Sequence, residues 1–170
     1  MQFDAQKYKS TTRQQWQDAA EAWNAWNGLL ADWLGPATEA MLDMAGIGAG
    51  CRVLDVAAGS GQQSLVAAQR VGPKGHVLAT DISPNILEFA AENARVIGLD
   101  NLTTMEADGE ALDVDPESFD AAISRVGMIY FPDQQKALAN ILRALKPGGK
   151  FATVVYSTPD KNGFFSKPVS

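Results

Sequence analysis

Asp55 lies in the apolar run RVLDV, and Gly59 and Gly61 follow it within six residues. An acid at a strand end, followed by a glycine turn into a helix, can hold a ligand against bare backbone. Glycine brings no side chain to the approach, and the first N–H groups of a helix are unpaired. Asp81 ends a second apolar run, GHVLATD, twenty residues beyond Gly61. A carboxylate there can accept both hydroxyl hydrogens of a ribose, although a lone acid at a strand end can equally serve the turn or cap the next helix. In Ala107-Asp108-Gly109-Glu110, Asp108 could accept an exocyclic amino hydrogen from adenine, whereas Glu110 is expected to face solvent. Ser124-Arg125-Val126-Gly127-Met128 follows a further apolar run. Four strand ends thus offer polar or glycine positions, and they form one crevice only if the strands run the same way.

The pattern between them supplies that condition. Runs at 52–57, 75–81, 101–108, 118–124 and 150–156 read as strands, separated by striped helical stretches. Strands alternating with helices demand parallel pairing and crossover connections, hence a three-layer α/β sandwich. Ser83-Pro84 opens the helix after the second strand, Ser83 as a plausible N-cap and Pro84 at its first position. Its inner stripe is expected to be Leu87, Ala90, Ala91, Ala94 and Ile97. The helix at 133–146 should bury Ala137, Leu138, Ile141, Leu142 and Leu145. Ahead of the first strand, residues 13–34 have helical periodicity, with a break expected at Gly28 and a stronger one at Gly35-Pro36. All four tryptophans fall in this region, where they would pack a helical cap or help to cover a ligand. The expected division is a cap over 1–46, the α/β domain over 47–158 and a short tail over 159–170.

With 170 residues the chain is long enough for one domain with a hydrophobic core. Its 14 basic residues against 20 acidic ones give a net charge of -6, which argues against nucleic acid or an anionic membrane as the main partner. A single cysteine, Cys51, and a single histidine, His76, make neither an internal disulfide nor a Cys/His metal cluster, so no metal site is expected. No stretch approaches a membrane span and the start has no apolar signal region, so a cytoplasmic location is expected.

The glycine turn is not a Walker A loop, because no Gly-Lys-Ser/Thr follows. As a dinucleotide fingerprint it is incomplete, with Ser64 where a third glycine would stand. VLDVAAGSGQQS, HVLATDIS, EADGEALDVDPESFDAAIS and LKPGGKF, in this order, resemble the motifs of the class I S-adenosylmethionine-dependent methyltransferases. Within that family the likeness is to the small-molecule branch that includes the quinone-biosynthesis C-methyltransferases, and it covers roughly residues 45–158. Ala57 stands where the family's first glycine usually lies.

The resemblance implies a Rossmann-like sandwich, mostly parallel, with strand order 3-2-1-4-5. It implies S-adenosyl-L-methionine as cofactor and S-adenosyl-L-homocysteine as product. Asp55, Ala57, Gly59 and Gly61 would surround the amino-acid part of the cofactor, Asp81 would hold the ribose and Ile82 would flank the adenine. Asp108 and Gly109 would receive the adenine's amino edge, and Arg125 and Val126 would lie near the methionine moiety. A guanidinium beside a sulfonium is unfavourable unless its head points away, so the backbone of Arg125 is expected to matter more than its charge.

The family's sheet continues into two further strands, order 3-2-1-4-5-7-6, which residues 157–170 are too few to supply. The segment that usually covers the acceptor is expected to be missing as well. A truncated chain, a minimal enzyme and a cofactor-binding relic all fit this ending. Methyl transfer to a small-molecule acceptor is the leading function, and cofactor binding without turnover is the alternative. A nicotinamide-dependent oxidoreductase is a weaker third reading, opposed by Ser64 and the LKPGG turn. No side chain stands out as a general base: His76 precedes its strand on the wrong edge, while Tyr130 and Tyr8 are at most cleft or lid residues. The strand at 151–156 would be an open edge, so a homodimer through it or through the tail is expected, with the tryptophan-rich helices as the other surface.

Overall fold

In the computed structural model, residues 3–162 are described. Two long helices come first, α1 (Ala5–Ala25) and α2 (Asn27–Met44). Then β1 (Arg52–Val56), α3 (Gln62–Val71), β2 (His76–Asp81), α4 (Pro84–Val96), β3 (Leu102–Glu106), β4 (Phe119–Arg125), α5 (Gln134–Ala144) and β5 (Leu145–Val154) follow in alternation. The sheet has five strands in the order β3-β2-β1-β4-β5, and every pairing in it is parallel. The topology expected from the sequence is the one observed, and no sixth or seventh strand occurs among the described residues.

The period of two along each strand sends neighbouring side chains to opposite layers. Val53, Ala121 and Ile123 face a core shared with Met41 and Leu42 of α2 and with Ala67, Ala68 and Val71 of α3. Leu54, Val56 and Ala122 face the other core, with Ala137, Ile141 and Ala144 of α5. Because β1 lies between β2 and β4, its residues Val53 to Val56 are all buried, as strands covered on both faces should be.

Several local expectations are corrected. Helix α1 starts at Ala5 rather than at 13, because the Asp4 side chain accepts from the Lys7 N–H and caps it. The break falls at Trp26, not Gly28, and Gly35-Pro36 lies inside α2 without ending it. Leu30, Leu34, Thr38, Met41 and Leu42 bury one face across that point. The carbonyl deprived of its N–H partner by Pro36 belongs to exposed Asp32, so the helix loses little. Ser83 makes no side-chain cap, and its buried hydroxyl has no hydrogen-bond partner; its N–H donates to Asp81 instead.

On α4, Ile86 joins the buried stripe whereas Ala91 and Ile97 are exposed. On α5, Leu138 and Leu142 are exposed and Ala144 takes the inner position. Ala137, Ile141 and Ala144 share one face of the helix, and the phase of α5 turns Leu138 and Leu142 away from it. Strand β5 pairs from Leu145 through an irregular register and stops at Val154, so Val155 and Tyr156 lie beyond it. Most of the proposed tail, residues 163–170, is outside the described residues.

Candidate cofactor cleft

A cleft opens at the carboxyl ends of the strands, where β1 and β4 diverge. Of the ten residues proposed from the sequence, Ala57, Gly59, Asp81, Ile82, Asp108, Gly109, Arg125 and Val126 line it. Asp55 and Gly61 stand behind it. Asp55 is fully buried, accepting from Ser64 Oγ at 2.5 Å and Gln63 Nε2 at 3.4 Å. Burial pushes its carboxyl up to about 6, against the lowering effect of those two donors and of Arg125. Ser64, which occupies the place of a third glycine, thus holds the strand-end acid to the helix. Gly61 adopts φ +82°, and a Cβ there would lie 2.7 Å from the Ala90 Cβ. The glycine required for close packing is therefore Gly61, against α4.

Asp81 has a different environment. Its Oδ2 accepts from the Gly59 N–H at 2.9 Å and its Oδ1 from the Ser83 N–H at 3.0 Å. Each oxygen retains lone-pair capacity for a ligand hydroxyl. Burial raises its pKa, and these backbone N–H groups oppose the shift. The side chain is held rigidly, at the cleft wall, by the turn it would share with the ligand.

Asp108 and Glu110 meet on one cation. Lys9 Nζ lies 2.6 Å from Asp108 Oδ2 and 2.6 Å from Glu110 Oε2. Glu110 is buried rather than solvent-facing, because its second oxygen also accepts from the Asp133 N–H at 2.9 Å. Lys9 belongs to α1, and with Thr12, Trp16 and Trp23 it forms one wall of the cleft. Trp16 contacts Trp23 and Tyr130 edge-on, with ring centroids 5.2 and 5.4 Å apart. The four tryptophans divide accordingly: Trp16 and Trp23 line the cleft, whereas Trp26 and Trp33 are largely exposed. Lys9 and Thr12 were invisible to motif reading, since nothing in a helical segment announces which distant cleft it will cover. A helix with polar residues one turn apart ahead of two tryptophans was the available signal.

Backbone strain collects here too. Ala57 has φ +59° and Val126 φ +64°, a region that costs a non-glycine residue about 1–2 kcal/mol. Among the described residues, two of the three non-glycine residues with positive φ thus line the cleft, a distribution typical of ligand sites. Tyr130 also lines it, as do Phe131 and Tyr156. Tyr8 instead packs on Phe3, and His76 bonds Thr103 at the opposite end of β2. Among the described residues, no group of acids, histidines and cysteine could hold a metal ion, and no helix is long and apolar enough to cross a membrane.

Residues 47–162 match the family model described as a methyltransferase domain. An uncharacterized protein of Mycobacterium tuberculosis is 35% identical over 161 residues, 95% of this chain and 54% of that protein. The ubiquinone/menaquinone biosynthesis C-methyltransferase of Pasteurella multocida is 34% identical over 119 residues, 69% of this chain and 44% of that one. A SAM-dependent methyltransferase from Aquifex aeolicus shares the fold, with TM-score 0.67 at 22% identity over 95% of this chain and 78% of its own. The chain spans about half the length of the curated relatives it matches. With the parallel sheet, the glycine turn and the matched residues together, the chain belongs to the methyltransferase-domain family.

Proposed function

We propose that this chain binds S-adenosyl-L-methionine in the cleft and delivers its methyl group to a small-molecule acceptor. S-adenosyl-L-methionine is the cofactor of the domain and S-adenosyl-L-homocysteine its product. The observation that carries the site assignment is Asp81, whose carboxylate is fixed at the cleft wall by the backbone N–H groups of Gly59 and Ser83. That arrangement suits the vicinal hydroxyls of a ribose. Ile82 would flank the adenine, Asp108 and Gly109 would take its amino edge beside Lys9, and Ala57, Gly59 and Val126 would lie along the methionine part. Asp55 and Gly61 act from behind, holding the turn in shape.

Bound there, the cofactor supplies an electrophilic methyl on a sulfonium. The residues of the chain position it and exclude water, which can carry much of the rate of a group transfer. Trp16, Trp23, Tyr130, Phe131 and Tyr156 make an aromatic wall suited to a partly apolar acceptor. The likeness to a quinone-biosynthesis C-methyltransferase supports an aromatic ring as that acceptor. Cofactor binding without turnover is the second reading, since the residues that line the cleft would hold the cofactor in either case.

Calorimetry with S-adenosylhomocysteine tests the site. Asp81→Asn should weaken binding by roughly 10- to 150-fold, the value of one charge-assisted hydrogen bond, with the fold retained. Unchanged affinity removes the ribose assignment. Methyl transfer from labelled cofactor to a panel of phenols, quinols and amines separates enzyme from binding protein.

The assembly we infer is a homodimer through the β5 edge, because among the described residues β5 pairs with β4 alone and Val155 just beyond it is exposed. The edge is shorter than the 151–156 run suggested, ending at Val154. Light scattering should report a dimer that Val154→Lys dissociates; a monomer at high micromolar concentration overturns the assembly.

A further inference from the structure

Arg125 is a buried cation that makes no ion pair among the described residues. It ends β4, is 9% exposed, and lines the cleft. Its Nη1 donates to Thr38 Oγ1 at 2.9 Å and to Gln62 Oε1. Both partners are neutral. Among the described residues no carboxylate lies within ion-pair distance of it. The acid whose charge reaches it is Asp55, and that carboxylate is already engaged by Ser64 and Gln63. A guanidinium withdrawn from water and given only neutral oxygens is held at a cost, which an anion in the same place would offset. Its planar fork of five N–H donors matches a carboxylate in two-pronged fashion, and the hydrogen bonds to Thr38 and Gln62 leave Nη2 and Nε for such a ligand.

The position narrows what the anion can be. Thr38 belongs to α2 and Gln62 opens α3 directly after Gly61. The head of Arg125 therefore sits at the β4–β5 side of the glycine turn, whereas Asp81 and Asp108 mark the β2–β3 side. Tyr156 lines this end of the cleft and is coupled electrostatically to the same guanidinium. A guanidinium beside a sulfonium is unfavourable unless its head points away, and the head of Arg125 is turned toward Thr38 and Gln62. Its head is steered away from the middle of the cleft, by two side chains that orient it without neutralising it.

We infer that Arg125, oriented by Thr38 and Gln62, anchors a carboxylate at the β4–β5 end of the cleft. The inference rests on the cofactor reading above. Two molecules in that reading can bring the carboxylate: the cofactor, through its amino-acid end, or an acidic acceptor.

Calorimetry distinguishes them, using S-adenosylhomocysteine, its decarboxylated analogue, and acetate or benzoate added to the S-adenosylhomocysteine-saturated protein. If the cofactor is the source, the wild type should prefer S-adenosylhomocysteine over the decarboxylated analogue by roughly 10- to 150-fold. Arg125→Gln should then bind the two alike, and Arg125→Lys should recover part of the preference. If the acceptor is the source, the wild type should treat the two nucleosides alike, and the saturated complex should bind benzoate or acetate in a way Arg125→Gln abolishes. The wild-type comparison needs no variant, so a misfolded substitution, detected by circular dichroism, does not rescue the idea. A wild type that shows neither preference nor carboxylate binding, while still binding S-adenosylhomocysteine, overturns the inference and leaves the cofactor reading standing. A folded Arg125→Gln that discriminates as well as wild type also overturns it. Absence of S-adenosylhomocysteine binding removes the cofactor reading itself.

Discussion

Replacing Gly61 by alanine should destabilise the fold by about 2–5 kcal/mol, a figure with two separable parts. The backbone at Gly61 has φ +82°, and alanine in the left-handed region costs about 1–2 kcal/mol. The added methyl would lie 2.7 Å from the Ala90 Cβ and 3.1 Å from its Cα, well inside the ~3.5–4.0 Å at which carbon atoms rest. Ala90 is fully buried in α4 and has no longer side chain to swing aside. Either α4 or the turn must move, and overpacking of this kind costs about 1–3 kcal/mol.

Gly59→Ala provides the internal control. Gly59 has a similar dihedral, φ +59°, but a Cβ there meets nothing closer than 3.6 Å. Its expected loss is the dihedral part alone, ~1–2 kcal/mol. Urea unfolding followed by tryptophan fluorescence and by circular dichroism gives both values from the midpoint and slope. Gly61→Ala should be worse by ~1–3 kcal/mol. If the two variants agree within ~0.5 kcal/mol, well under the overpacking cost, the contact between the turn and α4 is not a constraint and the reasoning fails.

Three further outcomes follow from the cleft. Asp55, held at about 6 in the folded protein by burial against an ordinary value of 3.8, binds a proton more readily folded than unfolded, so its contribution is complete below pH 4 and is lost as pH rises through about 6. The difference is ~3 kcal/mol, and Asp55→Asn should remove it, so that the variant's stability advantage over wild type grows between pH 4 and pH 7 in parallel urea titrations; an advantage independent of pH refutes this. Lys9→Met strips the cation from Asp108 and buried Glu110 and should lower stability by ~2–4 kcal/mol, a loss that Glu110→Gln in the same chain partly restores; additive losses in the thermal melts would mean that the pair is uncoupled. Ala57→Gly relieves the strain at φ +59° and should raise stability by ~0.5–1 kcal/mol after the entropy of glycine is allowed for; a lowered melting temperature contradicts that account.

The order of strands and helices, the parallel sheet and most of the cleft were legible in the chain. Periods of two and of three to four residues encode which face each element buries, and a strand followed by a glycine turn and a helix encodes a ligand-facing edge. Asp81 and Asp108 could be placed on that edge because strand ends are local events, marked by a change of hydrophobic pattern. Pro36 was misleading because propensity describes an isolated helix, whereas α2 is held by the face it buries through Leu34, Thr38 and Met41. Which side chains of α5 go inside depends on how the helix is rotated on the sheet, and Ala137, Ile141 and Ala144 share the inner face while Leu138 and Leu142 do not.

The long-range pairings belong wholly to the tertiary structure. Lys9 reaches Asp108 across 99 residues and Arg125 reaches Thr38 across 87. No periodicity in sequence records such a meeting, because it depends on where the two N-terminal helices dock on a sheet made by the rest of the chain. The same docking turns Glu110 from an expected surface acid into a buried one and gives Arg125 its two neutral partners. The chemistry of the strand ends was thus set by local pattern, and the charges that surround it were set by packing between distant segments.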